Sequence, residues 1–169
     1  STKAHTEISY ITDLSRFGLS NIDDSHFSMI EKRVYDIAAC NPSLKVYFNG
    51  KLINIKSFED YIKLYVSEYF YEAKKDKTWS IGIALSQNGF QQVSFVNTTD
   101  TYDGGTHVDY VMNQIISALR EFFAKKHKVD IKPSELKNHM FLFLDATVIN
   151  PSFSSQTKEK LITEVKEFG

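Results

Sequence analysis

The chain of 169 residues sets 20 Lys and Arg against 21 Asp and Glu, so its formal net charge of −1 excludes any global attraction to a polyanion or an anionic membrane. One cysteine, Cys40, excludes an internal disulfide and a zinc cluster and suits a reducing compartment. No apolar run approaches the roughly 20 residues that span a bilayer, the N-terminus is too polar for a signal peptide, and the abrupt ends read as those of an excised fragment.

His5 to Asp13 alternates, with Thr6, Ile8 and Tyr10 on one face and Glu7, Ser9 and Ile11 on the other, which predicts a strand. After a polar connection over Leu14 to Asn21, Asp23-Asp24-Ser25 offers N-caps and negative charge at the positive end of a helix dipole. Phe27, Ile30, Val34, Ile37 and Ala38 recur at helical spacing, so Ser25 to Ala39 is expected to be an amphipathic helix, ended by Asn41-Pro42. Leu44 to Phe48 and Lys51 to Ile55 flank Asn49-Gly50, the strongest hairpin signal in the chain, because both residues tolerate positive φ.

Ser57-Phe58-Glu59-Asp60 reads as a helix cap followed by an acidic first turn. Phe58, Tyr61, Ile62, Tyr65, Val66 and Tyr69 continue on one helical face, and the charged stretch from Glu72 to Lys77 reads as a solvated loop. A domain boundary is expected near Ile55, dividing residues 1–55 from residues 56–169. Trp79 to Leu85 and Phe90 to Val96 are strands around an Asn88-Gly89 turn, which predicts a β-hairpin. Asn97 to Gly105 is a polar connection. The stripe Val108, Val111, Met112, Ile115, Leu119 and Phe122 then predicts a helix from Thr106 to Lys125, with Thr106 and Asp109 in a capping arrangement. A basic segment, Lys125 to Lys132, and a short turn or helix at Pro133-Ser134 precede a last strand, His139 to Ile149. This order describes an α+β layer with helices on one face of a sheet.

That last strand feeds Asn150 to Lys160, N-P-S-F-S-S-Q-T-K-E-K. Asn150-Pro151 signals a turn, and the loop then delivers Gln156, Thr157 and Lys158 together. A rigid strand feeding a loop tipped with amide and ammonium donors suits gripping a phosphate. The same residues also suit an ordinary solvated loop.

S-S-Q-T-K-E-K-L at Ser154 to Leu161, S-F-V-N-T-T-D-T-Y-D-G-G-T-H-V-D-Y-V at Ser94 to Val111, and the N-H-M ending at Met140 resemble the ATPase region of type IIA DNA topoisomerases, the eukaryotic topoisomerase II branch above all. T-E-I-S-Y-I-T-D-L-S-R-F-G from Thr6, R-V-Y-D-I-A from Arg33 and K-V-Y-F-N-G-K from Lys45 resemble the closing strands and helix of that family's GHKL ATP-binding domain. The resemblance implies the end of an ATP-binding α/β sandwich followed by the first part of a transducer domain, with a mixed sheet and a left-handed βαβ crossover. It also implies that Gln156, Thr157 and Lys158 reach the terminal phosphate of ATP, with Lys158 in the catalytic role, and that Thr6 lines the adenine end of the pocket. Thr6 is equally well explained as a strand threonine.

Lys125, Lys126 and Lys128 occupy the place of a lysine-rich loop that meets double-stranded DNA in that family. They are equally explained as cations complementing a helix C-terminus. Gly104-Gly105 lacks the trailing Lys-Ser/Thr of a Walker loop and reads as a site of close backbone packing. The five histidines show no ligand spacing, so no metal is assigned to protein side chains. Mg²⁺ would be held through ATP and an upstream domain. The family implies a homodimeric parent, located in the nucleus, while this piece alone is expected to be inactive. Two other readings compete: the second domain of another GHKL ATPase of the mismatch-repair type, and a non-enzymatic nucleic-acid-binding module.

Overall fold

The computed structural model describes residues 4–76 and 78–169, so the Lys77 end of the expected charged loop lies outside the described residues. The chain divides into two compact units, Ser1–Arg33 and Val34–Gly169.

In the first unit residues 4–13 form no strand, which corrects the strand expected from His5 to Asp13. Alternation alone does not make a strand, because its backbone groups need a partner strand to bond, and residues 4–13 take part in no described strand pairing. Ile8, Tyr10 and Ile11 are exposed. A 3-10 turn at Leu14–Phe17 ends on Gly18 with φ 68°. Helix α1, Asp24–Cys40, begins in this unit and ends in the second. Asp23 Oδ1 accepts from the His26 backbone N–H at 2.9 Å, capping the first turn as Asp23-Asp24-Ser25 suggests. Of the apolar stripe on α1, Phe27 and Ile30 remain exposed, and burial is complete only at Ala38 and Ala39.

The second unit opens with a two-stranded hairpin, β1 (Tyr47–Phe48) and β2 (Lys51–Leu52), paired Tyr47 to Leu52 and Phe48 to Lys51. Asn49 and Gly50 stand at φ 48° and 76°, the geometry Asn-Gly favours. Helix α2, Phe58–Ile62, is capped by Ser57, whose Oγ accepts from the Asp60 N–H at 3.0 Å.

A five-stranded sheet follows: β3 (Phe70–Ala73), β4 (Trp79–Leu85), β5 (Gln91–Val96), β6 (Thr99–Asp100) and β7 (Met140–Ala146), in the order β3-β4-β7-β5-β6. Helix α3, Thr106–His127, and helix α4, Pro133–Asn138, lie between β6 and β7 in sequence. Strand β7 runs antiparallel to β4 and parallel to β5, so the sheet is mixed and the route from β5 through α3 to β7 is a βαβ crossover.

Strand β7 explains both the architecture and two corrections to the expected one. Met140, Leu142, Leu144 and Ala146 pack with Val108, Val111, Met112 and Ile116 of α3. The alternate residues Phe141 and Phe143 pack with Phe58, Tyr61 and Ile62 of α2 and with Ala38 and Ala39 of α1. Helices therefore cover both faces of the sheet, not one, and the continuous apolar run of β7 is that of a strand buried on both sides.

Secondly, β4 and β5 do not pair as a hairpin, because β7 lies between them. Gly89 alone of the Asn88-Gly89 pair takes positive φ, so the turn is not the two-residue hairpin type. The helix expected to reach Tyr69 stops at Ile62; Tyr65 lies in the turn that follows, and Phe70 and Tyr71 enter β3, paired with β4 from Phe70–Ile83 to Ala73–Ser80. In that stretch the β preference of aromatic side chains and an unfilled sheet edge outweigh helical spacing.

The polar connection from Asn97 also holds strand β6, joined to β5 by a tight turn in which Asn97 and Thr98 both take positive φ, 48° and 68°. Thr98 is not a residue that such a turn selects, so the local signal is weak.

Candidate functional site

The loop after β7 is pinned at its root by Asn97. The Asn97 side chain donates from Nδ2 to the Val148 carbonyl at 2.8 Å and accepts from the Val148 N–H at 2.9 Å. Beyond Asn150, at φ 50°, and Pro151, the two arms of the loop close on each other. The Ile162 N–H donates to Ser152 O at 2.9 Å, the Ser154 N–H to Lys160 O at 3.0 Å, and Phe153 bridges Leu161. Thr163, buried, accepts through Oγ1 from the Ser152 N–H at 2.8 Å.

The second arm is fastened to the start of α3. Asp103 N–H donates to Glu159 O at 3.0 Å, Leu161 N–H to Gly104 O at 3.0 Å, and Thr106 N–H to Leu161 O at 3.1 Å. This tie explains Gly104-Gly105. A Cβ on Gly105 would lie 2.6 Å from Leu161 N and 2.9 Å from Leu161 C, and the residue's φ of 132° is itself open to glycine almost alone. Gly105 is also the residue before α3 and makes no side-chain cap. The expected Thr106–Asp109 cap is therefore absent: Thr106 sits inside the helix, with its Oγ1 buried and lacking a hydrogen bond.

The tip that this frame presents is Ser155 to Lys158, closed by the Lys158 N–H donating to Ser155 O at 3.1 Å. The Ser155 and Thr157 hydroxyls share a hydrogen bond of 2.7 Å. Gln156, Thr157 and Lys158 are all exposed. Lys158 takes φ 61°, a left-handed conformation that turn chemistry ordinarily gives to Gly or Asn. Its Nζ lies 5.9 Å from the centre of the Phe153 ring, and among the described residues no carboxylate lies within ion-pair distance of it. The tip thus displays an ammonium, an amide and a hydroxyl on one short turn, a donor set that matches the oxygens of a terminal phosphate.

Lys125, Lys126 and Lys128 gather at the other end of α3. Lys125 pairs with Glu121 one turn back, Lys126 Nζ stands 5.0 Å from the Phe122 ring centre, and Lys128 ends the helix at φ 58° with its N–H donating to Phe123 O. With 22 residues in α3, the two candidate sites stand at opposite ends of a rod about 33 Å long at ~1.5 Å per residue. Thr6 lies in the first unit, exposed and outside any strand. Among the described residues no group of three or more His, Cys, Asp or Glu side chains is placed to hold a metal ion.

A small mixed sheet carrying a crossover helix, with an exposed Q-T-K turn tied to a D-G-G-T-H segment, defines the class to which comparison then gives a name. A family model described as DNA gyrase B matches residues 54–168. The chain is 42% identical to a probable DNA topoisomerase 2 of Dictyostelium discoideum and 36% identical to DNA topoisomerase 2 of Saccharomyces cerevisiae, each alignment covering 98% of this chain. It spans only 11% and 13% of those proteins' lengths.

The crystal structure of the ATPase region of Saccharomyces cerevisiae topoisomerase II superposes with a TM-score of 0.86 at 40% identity, over 93% of this chain and 41% of that one. The ATPase and transducer domains of DNA topoisomerase II from Balamuthia mandrillaris superpose with a TM-score of 0.85 at 36% identity, over 93% of this chain and 41% of that one. The chain belongs to the DNA gyrase B family, as a fragment of a type IIA topoisomerase.

Proposed function

We propose that this chain is the nucleotide-sensing part of the ATPase region of a DNA topoisomerase II, an enzyme that passes one DNA duplex through a transient double-strand break at the cost of ATP. Residues 1–55 are read as the end of the ATP-binding domain and residues 56–169 as the beginning of the transducer. The observation that carries this reading is Lys158: a cation displayed without a carboxylate partner among the described residues, in a backbone conformation a lysine does not favour, on a turn bonded to the first residues of α3. A costly conformation kept at an exposed residue points to service by its side chain.

ATP, when bound in the upstream domain, supplies the phosphoanhydride whose terminal phosphoryl group is lost. Lys158 offers a positive charge to that group, Gln156 a directed amide donor, and Thr157 a hydroxyl. The ammonium stabilises charge that spreads over the phosphoryl oxygens as the bond breaks. Mg²⁺ is held through the nucleotide and the upstream domain, not by side chains of this piece. Because the loop is fastened to the start of α3, engagement of Lys158 biases the position of a rigid helix whose far end carries Lys125, Lys126 and Lys128. Differential contact in two states is what a relay between nucleotide and DNA requires.

The parent is read as a homodimer acting on double-stranded DNA in the nucleus. In that full-length parent, Lys158→Ala is expected to cut ATP-driven strand passage by about two orders of magnitude, the scale of one lost transition-state donor, and to leave ATP-independent DNA cleavage intact. Equal strand-passage rates in mutant and wild type would end the proposal.

A further inference from the structure

Beneath the tie between the loop and α3 runs a buried polar chain. His107, in the first turn of α3 and wholly buried, sets Nε2 3.1 Å from Thr101 Oγ1. Thr101 is wholly buried too, with Oγ1 2.9 Å from Ser94 O and 2.6 Å from Ser94 Oγ. Ser94 O also accepts from the Thr101 N–H at 2.8 Å, so the one Thr101 hydroxyl proton has three acceptors in reach: that carbonyl, Ser94 Oγ and His107 Nε2. Whichever of the two atoms carries the proton, Nε2 and Thr101 Oγ1 share one buried hydrogen bond, and Nδ1 is buried with no hydrogen-bond partner among the described residues. Burial keeps the ring neutral by lowering its pKa to about 4.

Thr101 is in turn the foundation of the loop's anchor. Its carbonyl accepts from the Gly104 N–H at 2.7 Å, and Gly104 O accepts from the Leu161 N–H at 3.0 Å. The Thr101 N–H donates to Ser94 O at 2.8 Å, which fixes the same segment to β5. One side of this chain of bonds ends on the sheet, the other on the arm that carries Lys158.

We propose that His107 is a positioning residue for the Lys158 loop: the hydrogen bond between its Nε2 and Thr101 Oγ1 fixes Thr101, and Thr101 through Gly104 fixes Leu161 and the turn that ends in Lys158. The consequence for ATP rests on the reading of Lys158 given above; the anchor itself does not.

Amide hydrogen exchange in the full-length protein separates the two. His107→Leu removes the bond to Thr101, His107→Gln keeps an amide that can donate or accept near the place of Nε2, and Thr101→Val removes the same bond from the other side. His107→Leu and Thr101→Val are each expected to speed exchange across residues 153–163 about tenfold, the scale of one hydrogen bond, with His107→Gln within about twofold of wild type. Exchange in Met140–Ala146 stays as it was, which marks the loss as local. Wild-type exchange across 153–163 in both His107→Leu and Thr101→Val overturns the proposal. With ATP and Mg²⁺, the loosened variants are expected to lose kcat while KM holds. A loosened loop with undiminished kcat keeps the anchor and removes the role given to Lys158.

Discussion

The backbone of Gly105 lies so close to that of Leu161 that no other residue fits between them: a Cβ would stand 2.6 Å from Leu161 N, and Leu161 O accepts from the adjoining Thr106 N–H at 3.1 Å. The D-G-G-T-H and Q-T-K segments are thus two sides of one structural device.

Gly105→Ala is therefore expected to destabilise the loop anchor by about 2 to 4 kcal/mol, from a strained φ and an overlap with backbone that cannot give way. Its effect on ATP turnover in the longer protein should overlap that of Lys158→Ala. A double variant no slower than Lys158→Ala alone marks a shared cause, and additive losses would separate them.

The basic end of α3 makes a different prediction. Lys128 holds φ 58° at the helix C-terminus, so Lys128→Gly should stabilise the helix end by about 1 kcal/mol, because glycine occupies that region without strain. If Lys125, Lys126 and Lys128 meet DNA phosphates, charge reversal of the three weakens DNA stimulation of the ATPase, and each lost contact lowers the salt dependence of binding by about 0.9 in log–log slope. DNA stimulation that is unchanged across a salt series would leave these lysines as helix-end cations.

Asp145 gives the fold a pH dependence of a definite sign. Burial raises its carboxyl pKa from 3.8 to about 6, against the pull of a hydrogen bond from the Cys40 thiol. The folded chain holds this proton more tightly than the unfolded one, so the contribution to stability is full below pH 3.8 and is lost as pH rises through about 6. Asp145→Asn should flatten that slope and add about 2 to 3 kcal/mol near neutral pH, read by urea unfolding at a series of pH values. His107 acts with the opposite sign. Its pKa lies lowered from 6.5 to about 4, so its contribution is full above 6.5 and lost as pH falls through about 4. A wild-type slope in Asp145→Asn would show that the carboxyl is ionised in the fold.

Much of this fold is written locally. The strand expected from Trp79 to Leu85 has both ends of β4, Asn49-Gly50 makes its hairpin, and the apolar stripe after Thr106 gives α3 to within two residues of its end. What local pattern leaves out is partnership. Nothing between Leu85 and Gln91 reveals that β7, some fifty residues later, inserts between β4 and β5. Residues 4–13 have a strand's period but no strand to pair with. The loop shows the same division. Its donors Gln156, Thr157 and Lys158 are legible as chemistry, whereas the anchor is mostly a set of backbone bonds, which leave little mark on residue type. Its only sequence trace is Gly104-Gly105, with His107 beside it reading as one histidine among five.

The most direct test of the account is a nucleotide-bound structure of the longer protein, containing the upstream ATP-binding domain. The account predicts Lys158 Nζ in hydrogen-bond contact with an oxygen of the terminal phosphate, with the turn still bonded to the start of α3. Lys158 paired instead with a carboxylate, or directed away from the nucleotide, would contradict it.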